Sequence, residues 1–130
     1  MASILVIDDD QTIRDAIKLM LETRGHRIHT ASDGSKGLLC VEANKIDLVI
    51  TDVLMPGQEG IETIRSLRRR ADKVPILAIS GGGQTHFRDA LEAARLLGAN
   101  ATLSKPFAMP ELTRTVDELL SARADPASAA

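Results

Sequence analysis

Apolar residues fall into short runs that alternate with longer stretches in which they recur every three or four positions. A short apolar run is typical of a strand buried on both faces, whereas the longer spacing is typical of an amphipathic helix. Three of the short runs predict strongly buried strands, at Ile4–Ile7, Asp47–Thr51 and Pro75–Ile79. Two weaker runs predict short or edge strands, at Arg27–Ala31 and Ala101–Leu103.

Five stretches with helical spacing follow these strands. Asp10 stands where an N-cap is expected before the first helix, and Gly25, Asn44 and Gly98 stand where the first, second and fourth helices are expected to end. The arginine run Arg68–Arg70 predicts a solvated last turn of the third helix, where cations suit the helix dipole. The apolar faces consist of Ile13, Ile17, Met20 and Leu21; Gly37, Leu38 and Val41; Ile61, Ile64 and Leu67; Phe87, Leu91, Ala94 and Leu97; and Leu112, Val116, Leu119 and Leu120.

The alternation of strands and helices predicts a parallel sheet that is covered on both faces. With 130 residues, the chain suits one domain. The predicted fold class is therefore α/β, a flavodoxin-like doubly wound (βα)5 sandwich whose five-stranded parallel sheet has the order 2-1-3-4-5. We expect the domain to span residues 1–123, followed by a flexible tail over residues 124–130, and we expect no linker to an output domain.

Polar side chains stand where the predicted strands end. Asp8 and Asp9 follow the first strand, Asp52 the third, Ser80 the fourth, and Lys105 the fifth. In an open parallel sheet, ligands bind outside the carboxyl ends of the strands, where the strand order reverses. The fold therefore predicts that three carboxylates, one hydroxyl and one ammonium group lie together at one edge of the sheet.

Each of these positions has an ordinary explanation by itself. Asp10 is expected to be only a helix cap, Lys105 alone would be a solvated lysine, and Ser80 alone would be a loop hydroxyl. Their joint position favours a common site, because crowded carboxylates repel one another unless a hard cation such as Mg²⁺ neutralises them. Together with a lysine and a hydroxyl, these are groups suited to phosphoryl transfer, in which a carboxylate is an acceptable nucleophile.

Composition and charge exclude several other classes of partner. The net charge is −2, so we expect no direct binding to nucleic acid. No apolar run has the length of a membrane span and no basic leader precedes Ile4, so we expect a cytoplasmic protein with no membrane contact. The one cysteine, Cys40, is expected to be a core residue, and the three histidines, His26, His29 and His86, show no metal-ligand spacing.

Three functions remain open at this point. One is a phosphorylatable module that acts through protein partners. A second is a small phosphatase with an aspartate nucleophile, although Leu54 occupies the position two residues after Asp52 where such an enzyme needs a second acid. A third is a flavodoxin-type ligand binder, although Asp8–Asp10 replaces the expected phosphate-binding loop, and Phe87 and Phe107 are the only aromatic residues.

Four motifs, at their spacing in the chain, resemble the receiver domains of two-component response regulators, and the single-domain, chemotaxis-regulator-like ones in particular. The resemblance extends from about Ile4 to Leu120, and the combination of motifs is far more specific than any one of them. The motifs are Ile4-Leu5-Val6-Ile7-Asp8-Asp9-Asp10, Asp47-Leu48-Val49-Ile50-Thr51-Asp52-Val53-Leu54-Met55-Pro56-Gly57, Ile79-Ser80-Gly81 and Leu103-Ser104-Lys105-Pro106-Phe107.

The resemblance implies a metal site at the end of the third strand. Asp52 matches the phosphoacceptor, Asp9 matches the acid that binds Mg²⁺ directly, and Asp8 matches the acid that positions metal-bound water. The backbone carbonyl of Leu54 matches the third protein ligand to the metal. The implied metal set is therefore Asp8, Asp9, Asp52 and the carbonyl of Leu54.

The resemblance also implies how the phosphoryl group arrives and what it does. Ser80 matches the switching hydroxyl, and Lys105 matches the phosphate-binding lysine. In proteins that look like this chain, the donor is a phosphohistidine on a histidine kinase or a histidine phosphotransfer domain, and a downstream protein target responds. The receiver is then a regulatory phosphoacceptor rather than an enzyme, and it assists its own phosphorylation and dephosphorylation.

One position departs from the family pattern. Where the family commonly has Tyr or Phe on the fifth strand, this chain has Thr102. Since Gly81–Gly83 begins directly after Ser80, we expect the signal to be carried by that loop and the start of the fourth helix, through ordering on phosphorylation. We also expect a cis peptide bond between Lys105 and Pro106, because the chain must turn sharply there while the lysine points at the site.

Overall fold

Strands and helices alternate along the part of the chain that the computed structural model describes, which comprises residues 1–53, 59–70, 73–81 and 92–124. None of the helices over these residues has both the length and the apolar composition of a membrane span. The strands are β1 (Ser3–Ile7), β2 (Arg27–Ala31), β3 (Leu48–Asp52), β4 (Ile76–Gly81) and β5 (Ala101–Lys105). The helices are α1 (Gln11–Thr23), α2 (Gly34–Ala43), α3 (Glu59–Arg69), α4, whose described helical residues are 92–96, and α5 (Met109–Ala124).

The strands form one sheet in the order β2-β1-β3-β4-β5, and all four pairings are parallel. This confirms the predicted α/β doubly wound fold. The two weaker apolar runs form the two edge strands, β2 and β5, because an edge strand is covered by fewer neighbours than a central one. The central strand β3 is buried along its whole length.

The sheet is buried on both faces because alternate residues of each strand point to opposite sides. In β1, Ile4 and Val6 pack with α1 and α5, whereas Leu5 and Ile7 pack with α2 and α3. Cys40, predicted to be a core residue, is half-buried and packs against the second of these layers, and burial raises the pKa of its thiol. The near-continuous apolar runs of the central strands therefore reflect a core on each side of the sheet.

The helix ends coincide with the capping residues that the sequence contains. The side chain of Asp10 accepts hydrogen bonds from two backbone N–H groups in the first turn of α1, at 2.9 and 3.4 Å, so it caps that helix as predicted. Gly25 and Gly98 follow α1 and α4 with φ angles of 90° and 121°, a backbone region that favours glycine. Asn44 ends α2, also as predicted.

Several strand and helix ends differ slightly from the predicted ones. β3 begins one residue later than predicted, at Leu48. Asp47, just before it, is bonded to the first residue of β1: its N–H donates to Ser3 O at 2.7 Å, and its side chain accepts from Ser3 N at 2.9 Å. β4 and β5 each continue two residues further, to the edge where the candidate site lies. α5 extends through Ala124, one residue into the predicted tail, and residues 125–130 lie outside the described part of the chain.

Some predicted features also lie outside the described residues. They include Phe87 and Leu91 at the predicted start of the fourth helix, the glycines Gly82 and Gly83 of the expected switch loop, and His86. The expectation that this loop carries the signal therefore stays a prediction.

The start of α3 packs against the backbone at the end of β3. An ideal Cβ atom on Gly60 would lie 2.1 Å from Asp52 O and 2.4 Å from Val53 Cα, which is closer than nonbonded atoms can approach. The N–H of Val53 donates to Ile79 O at 2.9 Å, so this stretch of backbone is tied to β4 and has little room to retreat. Glycine is therefore required for α3 to begin this close to Asp52.

The other end of α3 is held by Arg68. Its guanidinium donates to Val74 O at 2.8 Å, to Gly98 O at 2.8 and 3.2 Å, and to Asn100 Oδ1 at 2.9 Å. These acceptors lie just before β4 and between α4 and β5, so one side chain joins three segments. The prediction of a solvated arginine run is wrong for Arg68, because its N–H groups bind two backbone carbonyl groups and a side-chain amide oxygen of the protein.

We expect Gly60→Ala to lower the free energy of unfolding by about 1–3 kcal/mol, because α3 must move away from the backbone of Asp52. Gly37→Ala is a matched comparison within α2, since its Cβ would meet the side chain of Ile7, at 2.4 Å from Cδ1 and 2.9 Å from Cγ1, and no backbone atom. Both substitutions gain the same helix propensity. Urea unfolding followed by far-UV circular dichroism compares them, and an equal or larger loss in Gly37→Ala would contradict the steric argument.

We expect Arg68→Met to lower the free energy of unfolding by about 2 kcal/mol, because the substitution removes the charge-assisted hydrogen bonds to Val74 O, Gly98 O and Asn100 Oδ1. Arg69→Met removes the same charge from the neighbouring, exposed residue and should change stability by less than about 0.5 kcal/mol. The same urea titration measures both variants. Similar stability of the two would show that the contacts of Arg68 contribute nothing beyond its charge.

Candidate functional site

The strand register brings the predicted residues to one edge of the sheet. Asp52 ends β3 and pairs with Ile79, so Ser80 is the next residue along the neighbouring strand. Lys105 ends β5, one residue beyond the partner of Ser80. Asp8 directly follows β1, which lies on the other side of β3. The carboxyl ends of four strands thus place these side chains together, as the sequence predicted.

Three carboxylates form the centre of this site. Asp8, Asp9 and Asp52 each offer an oxygen atom, and these atoms all lie within 4.8 Å of one another. Over the described residues, this is the one group of three or more carboxylate, imidazole or thiol side chains that could hold a metal ion. Asp8 and Asp52 are buried, whereas Asp9 is exposed. Such a set of oxygen atoms suits Mg²⁺, which binds few carboxylates and retains several waters.

The ammonium group of Lys105 compensates the two buried carboxylates. Nζ donates to Asp8 Oδ2 at 2.8 Å and to Asp52 Oδ2 at 2.9 Å. Burial by itself would lower the pKa of Lys105, but the hydrogen bonds to Asp8 and Asp52 and their negative charges outweigh burial and raise the pKa above its ordinary value. The lysine is therefore charged at neutral pH, and it gives both buried carboxylates a cationic hydrogen-bond donor.

Asp8 is held by hydrogen bonds at every polar atom. Its N–H donates to Ala31 O at 3.2 Å, and its carbonyl oxygen accepts from Arg14 Nη1 at 2.6 Å. Its Oδ1 accepts from Asp10 N at 2.9 Å, and its Oδ2 accepts from Lys105. Asp8 therefore has a fixed position in the site. The role of Arg14 was not predicted, because the spacing of six residues from Asp8 marks no recognised motif.

Asp9 differs from its two neighbours in the site. It is exposed, and over the described ranges no hydrogen bond or ion pair to its carboxylate is found. A carboxylate that no protein group compensates is the one best placed to bind a cation from solution. The three acids of the site are therefore divided into two that are structurally engaged and one that is open to a ligand.

Ser80 contributes a buried hydroxyl to the same edge. The residue is fully buried, and its Oγ has no hydrogen-bond partner among the residues that the structure describes. A buried hydroxyl without a partner costs about 1–3 kcal/mol. An anionic ligand bound at the end of the neighbouring strand would supply the acceptor that this hydroxyl lacks.

Three further expectations concern the surroundings of the site. The peptide bond between Lys105 and Pro106 is cis, as predicted. Thr102 lies on β5 opposite Ala78 and is half-buried, so two small side chains adjoin where the family commonly has an aromatic ring. Leu54 lies outside the described residues, so the expected contribution of its carbonyl to metal binding stays a prediction.

Comparison with known proteins gives the site a family context. Residues 4–117 match the family model of the response regulator receiver domain. The response regulator MprA of Mycobacterium sp. strain KMS is 37% identical over 118 residues, which are 90% of this chain and 50% of MprA. MprA of Mycobacterium leprae is 36% identical over 118 residues, with the same two coverages. The chain thus spans about half the length of the curated relatives that it matches.

Solved structures match over nearly the whole chain. The chemotaxis protein CheY4 of Vibrio cholerae has a TM-score of 0.82 and 29% identity, and the match covers 92% of this chain and 99% of CheY4. A response regulator receiver domain protein from Clostridium thermocellum has a TM-score of 0.82 and 33% identity, with 95% of this chain and 97% of that one covered. These matches favour a receiver over the phosphatase and the flavodoxin-type binder that the sequence left open. Because the family model alone covers most of the sequence, this chain belongs to the family of response regulator receiver domains, which serve two-component signalling.

Proposed function

We propose that this chain is the phosphoacceptor module of a two-component phosphorelay, in which a phosphoryl group moves from a phosphohistidine donor to Asp52 in a Mg²⁺-dependent reaction. The phosphorylated module would then differ from the free one in its binding to a partner. The observation that supports this proposal most directly is the ammonium of Lys105 between Asp8 and Asp52, beside the open carboxylate of Asp9.

The residues around Asp52 fit Mg²⁺, because they offer carboxylate oxygens and one of them, on Asp9, faces solvent. In this proposal Asp9, Asp52 and the backbone carbonyl of Leu54 hold the ion, and Asp8 contributes through a water molecule. When bound there, Mg²⁺ would supply positive charge to offset the negative charge of the phosphoryl oxygens.

Asp52 supplies the nucleophile in the proposed reaction. One of its carboxylate oxygens forms a bond to phosphorus while the bond from phosphorus to the imidazole nitrogen of the donor breaks, and the nitrogen keeps the electron pair. Lys105 Nζ, 2.9 Å from Asp52 Oδ2, donates a hydrogen bond that orients the carboxylate. The product is an acyl phosphate at the end of the central strand.

Lys105 and Ser80 would stabilise the phosphorylated form. An ammonium group has three N–H donors, so Lys105 can contact a phosphoryl oxygen while it remains bonded to Asp8. The hydroxyl of Ser80 would donate to another phosphoryl oxygen and so gain the partner that it lacks among the described residues. The same groups stabilise negative charge when water attacks the acyl phosphate, so the module would assist its own dephosphorylation as well.

The proposed partners follow from this chemistry. The donor is a histidine kinase or a histidine phosphotransfer domain, and the response passes to a downstream protein target in the cytoplasm. The net charge of −2 supports a protein target over direct contact with nucleic acid or with an anionic membrane surface. The chain spans about half of its curated relatives, so these partners are proposed for the receiver and not for a longer protein.

We expect Asp52→Asn to abolish phosphorylation, because an amide cannot act as the nucleophile. Intact-mass spectrometry after incubation with acetyl phosphate and Mg²⁺ should show one added phosphoryl group on the wild type and none on the variant. Asp10→Asn is the control. Asp10 caps α1, which an asparagine can also do, so this variant should still be phosphorylated. Equal incorporation by Asp52→Asn would rule out Asp52 as the phosphorylated residue.

We expect Asp9→Ala to weaken Mg²⁺ binding about tenfold or more, because the carboxylate left open to the ion is lost. The ion-free protein should be as stable as the wild type or slightly more stable, since the substitution relieves repulsion near Asp8 and Asp52. Isothermal titration calorimetry and urea unfolding measure the two effects. Asp15→Ala, which removes an exposed acid from α1, controls for net charge. A large loss of stability without Mg²⁺ would instead indicate a structural role for Asp9.

A further inference from the structure

We propose that Arg14 is a positioning residue for the Mg²⁺ site, and that it acts through the peptide bond between Asp8 and Asp9. The inference rests on the proposed function, because it concerns the ion that phosphorylation of Asp52 requires. Arg14 is not one of the acids, the hydroxyl or the lysine that the proposed reaction uses. Its contact with the site is a hydrogen bond to the backbone carbonyl of Asp8.

The contact is short and charge-assisted. Arg14 lies on α1, and its Nη1 donates to the carbonyl oxygen of Asp8 at 2.6 Å. Hydrogen bonds from a guanidinium are stronger than those from neutral donors, and this one is partly shielded from water. The start of α1 is itself fixed by the Asp10 cap, so the arginine extends from a well-anchored turn.

The carbonyl of Asp8 belongs to the same planar unit as the N–H and Cα of Asp9. Because a peptide bond is rigid, a group that fixes the direction of this carbonyl also fixes the point from which the side chain of Asp9 leaves the backbone. The side chain of Asp8 is held by two other hydrogen bonds, since its Oδ1 accepts from Asp10 N and its Oδ2 accepts from Lys105. Among the described residues, the peptide between Asp8 and Asp9 is bonded through Arg14.

A positioning role and a purely electrostatic role of Arg14 predict opposite changes in Mg²⁺ affinity when Arg14 is replaced. Arg14 places a positive charge near the carboxylates, so by Coulomb's law its removal should make the site bind a cation more tightly. Loss of the hydrogen bond should instead let the peptide rotate, leave Asp9 without a preferred direction and weaken binding. The sign of the change in Mg²⁺ affinity therefore distinguishes the two roles.

The experiment measures Mg²⁺ binding to the full chain by isothermal titration calorimetry, with Arg14→Met, Arg14→Lys and the control Arg24→Met. Arg24 follows the other end of α1 and pairs with Asp117 at 2.6 Å, so its substitution removes the same charge far from the site. We expect Arg14→Met to weaken binding about tenfold, as for other groups that orient a metal ligand without touching the metal. Arg14→Lys should be intermediate, and Arg24→Met should resemble the wild type.

Each outcome decides between the roles. Unchanged or tighter Mg²⁺ binding by Arg14→Met overturns the proposal, and so does an equal loss in Arg24→Met. Far-UV circular dichroism verifies folding. If Arg14→Met is unfolded, Arg14→Lys alone decides, because it keeps the charge and changes only the reach of the donor. Weaker Mg²⁺ binding by Arg14→Lys supports a positioning role, and wild-type affinity refutes it. Failure of the wild type itself to bind Mg²⁺ would overturn the proposed function together with this inference.

Discussion

The ammonium of Lys105 contacts two buried carboxylates at once, and the candidate site depends on that arrangement. Asp8 and Asp52 lie on or beside central strands, where an ionised group without a partner would cost several kcal/mol of stability, on the order of 3–5 kcal/mol. A lysine on the edge strand β5 reaches both of them and so links that edge to the middle of the sheet. The buried carboxylates and the ammonium group thereby satisfy one another within the same site.

The fold supports this arrangement from several sides. Parallel strands bring their carboxyl ends to one edge, and α3 approaches that edge so closely that only the hydrogen atom of Gly60 fits against the backbone of Asp52. The far end of the same helix is bound through Arg68 to the segments that lead into β4 and β5. The backbone of Asp52 therefore rests against a helix that is held at both ends.

Much of this molecule can be predicted from local patterns. Alternating apolar runs and helical spacing give the strand order, and residues such as Asp10 and Gly98 mark helix ends because capping is a local property of the chain. The edge at which Asp52 and Lys105 meet also follows, since parallel strands must end together. Which atoms bond to which could not be predicted in the same way. The contact of Arg14 with a backbone carbonyl, and the inward turn of Arg68, depend on distances that only the folded chain determines.

The unequal roles of the three acids have an evolutionary consequence. Selection for a stable fold favours retention of Lys105, because its loss would leave Asp8 and Asp52 buried without the cation that they share. A descendant that no longer signalled could therefore keep Lys105 for a long time. No group among the described residues depends on the charge of Asp9. Once phosphorylation was lost, selection for folding would not oppose its substitution. Under the proposed function, retention of Asp9 would therefore indicate continued signalling more clearly than retention of Lys105 does.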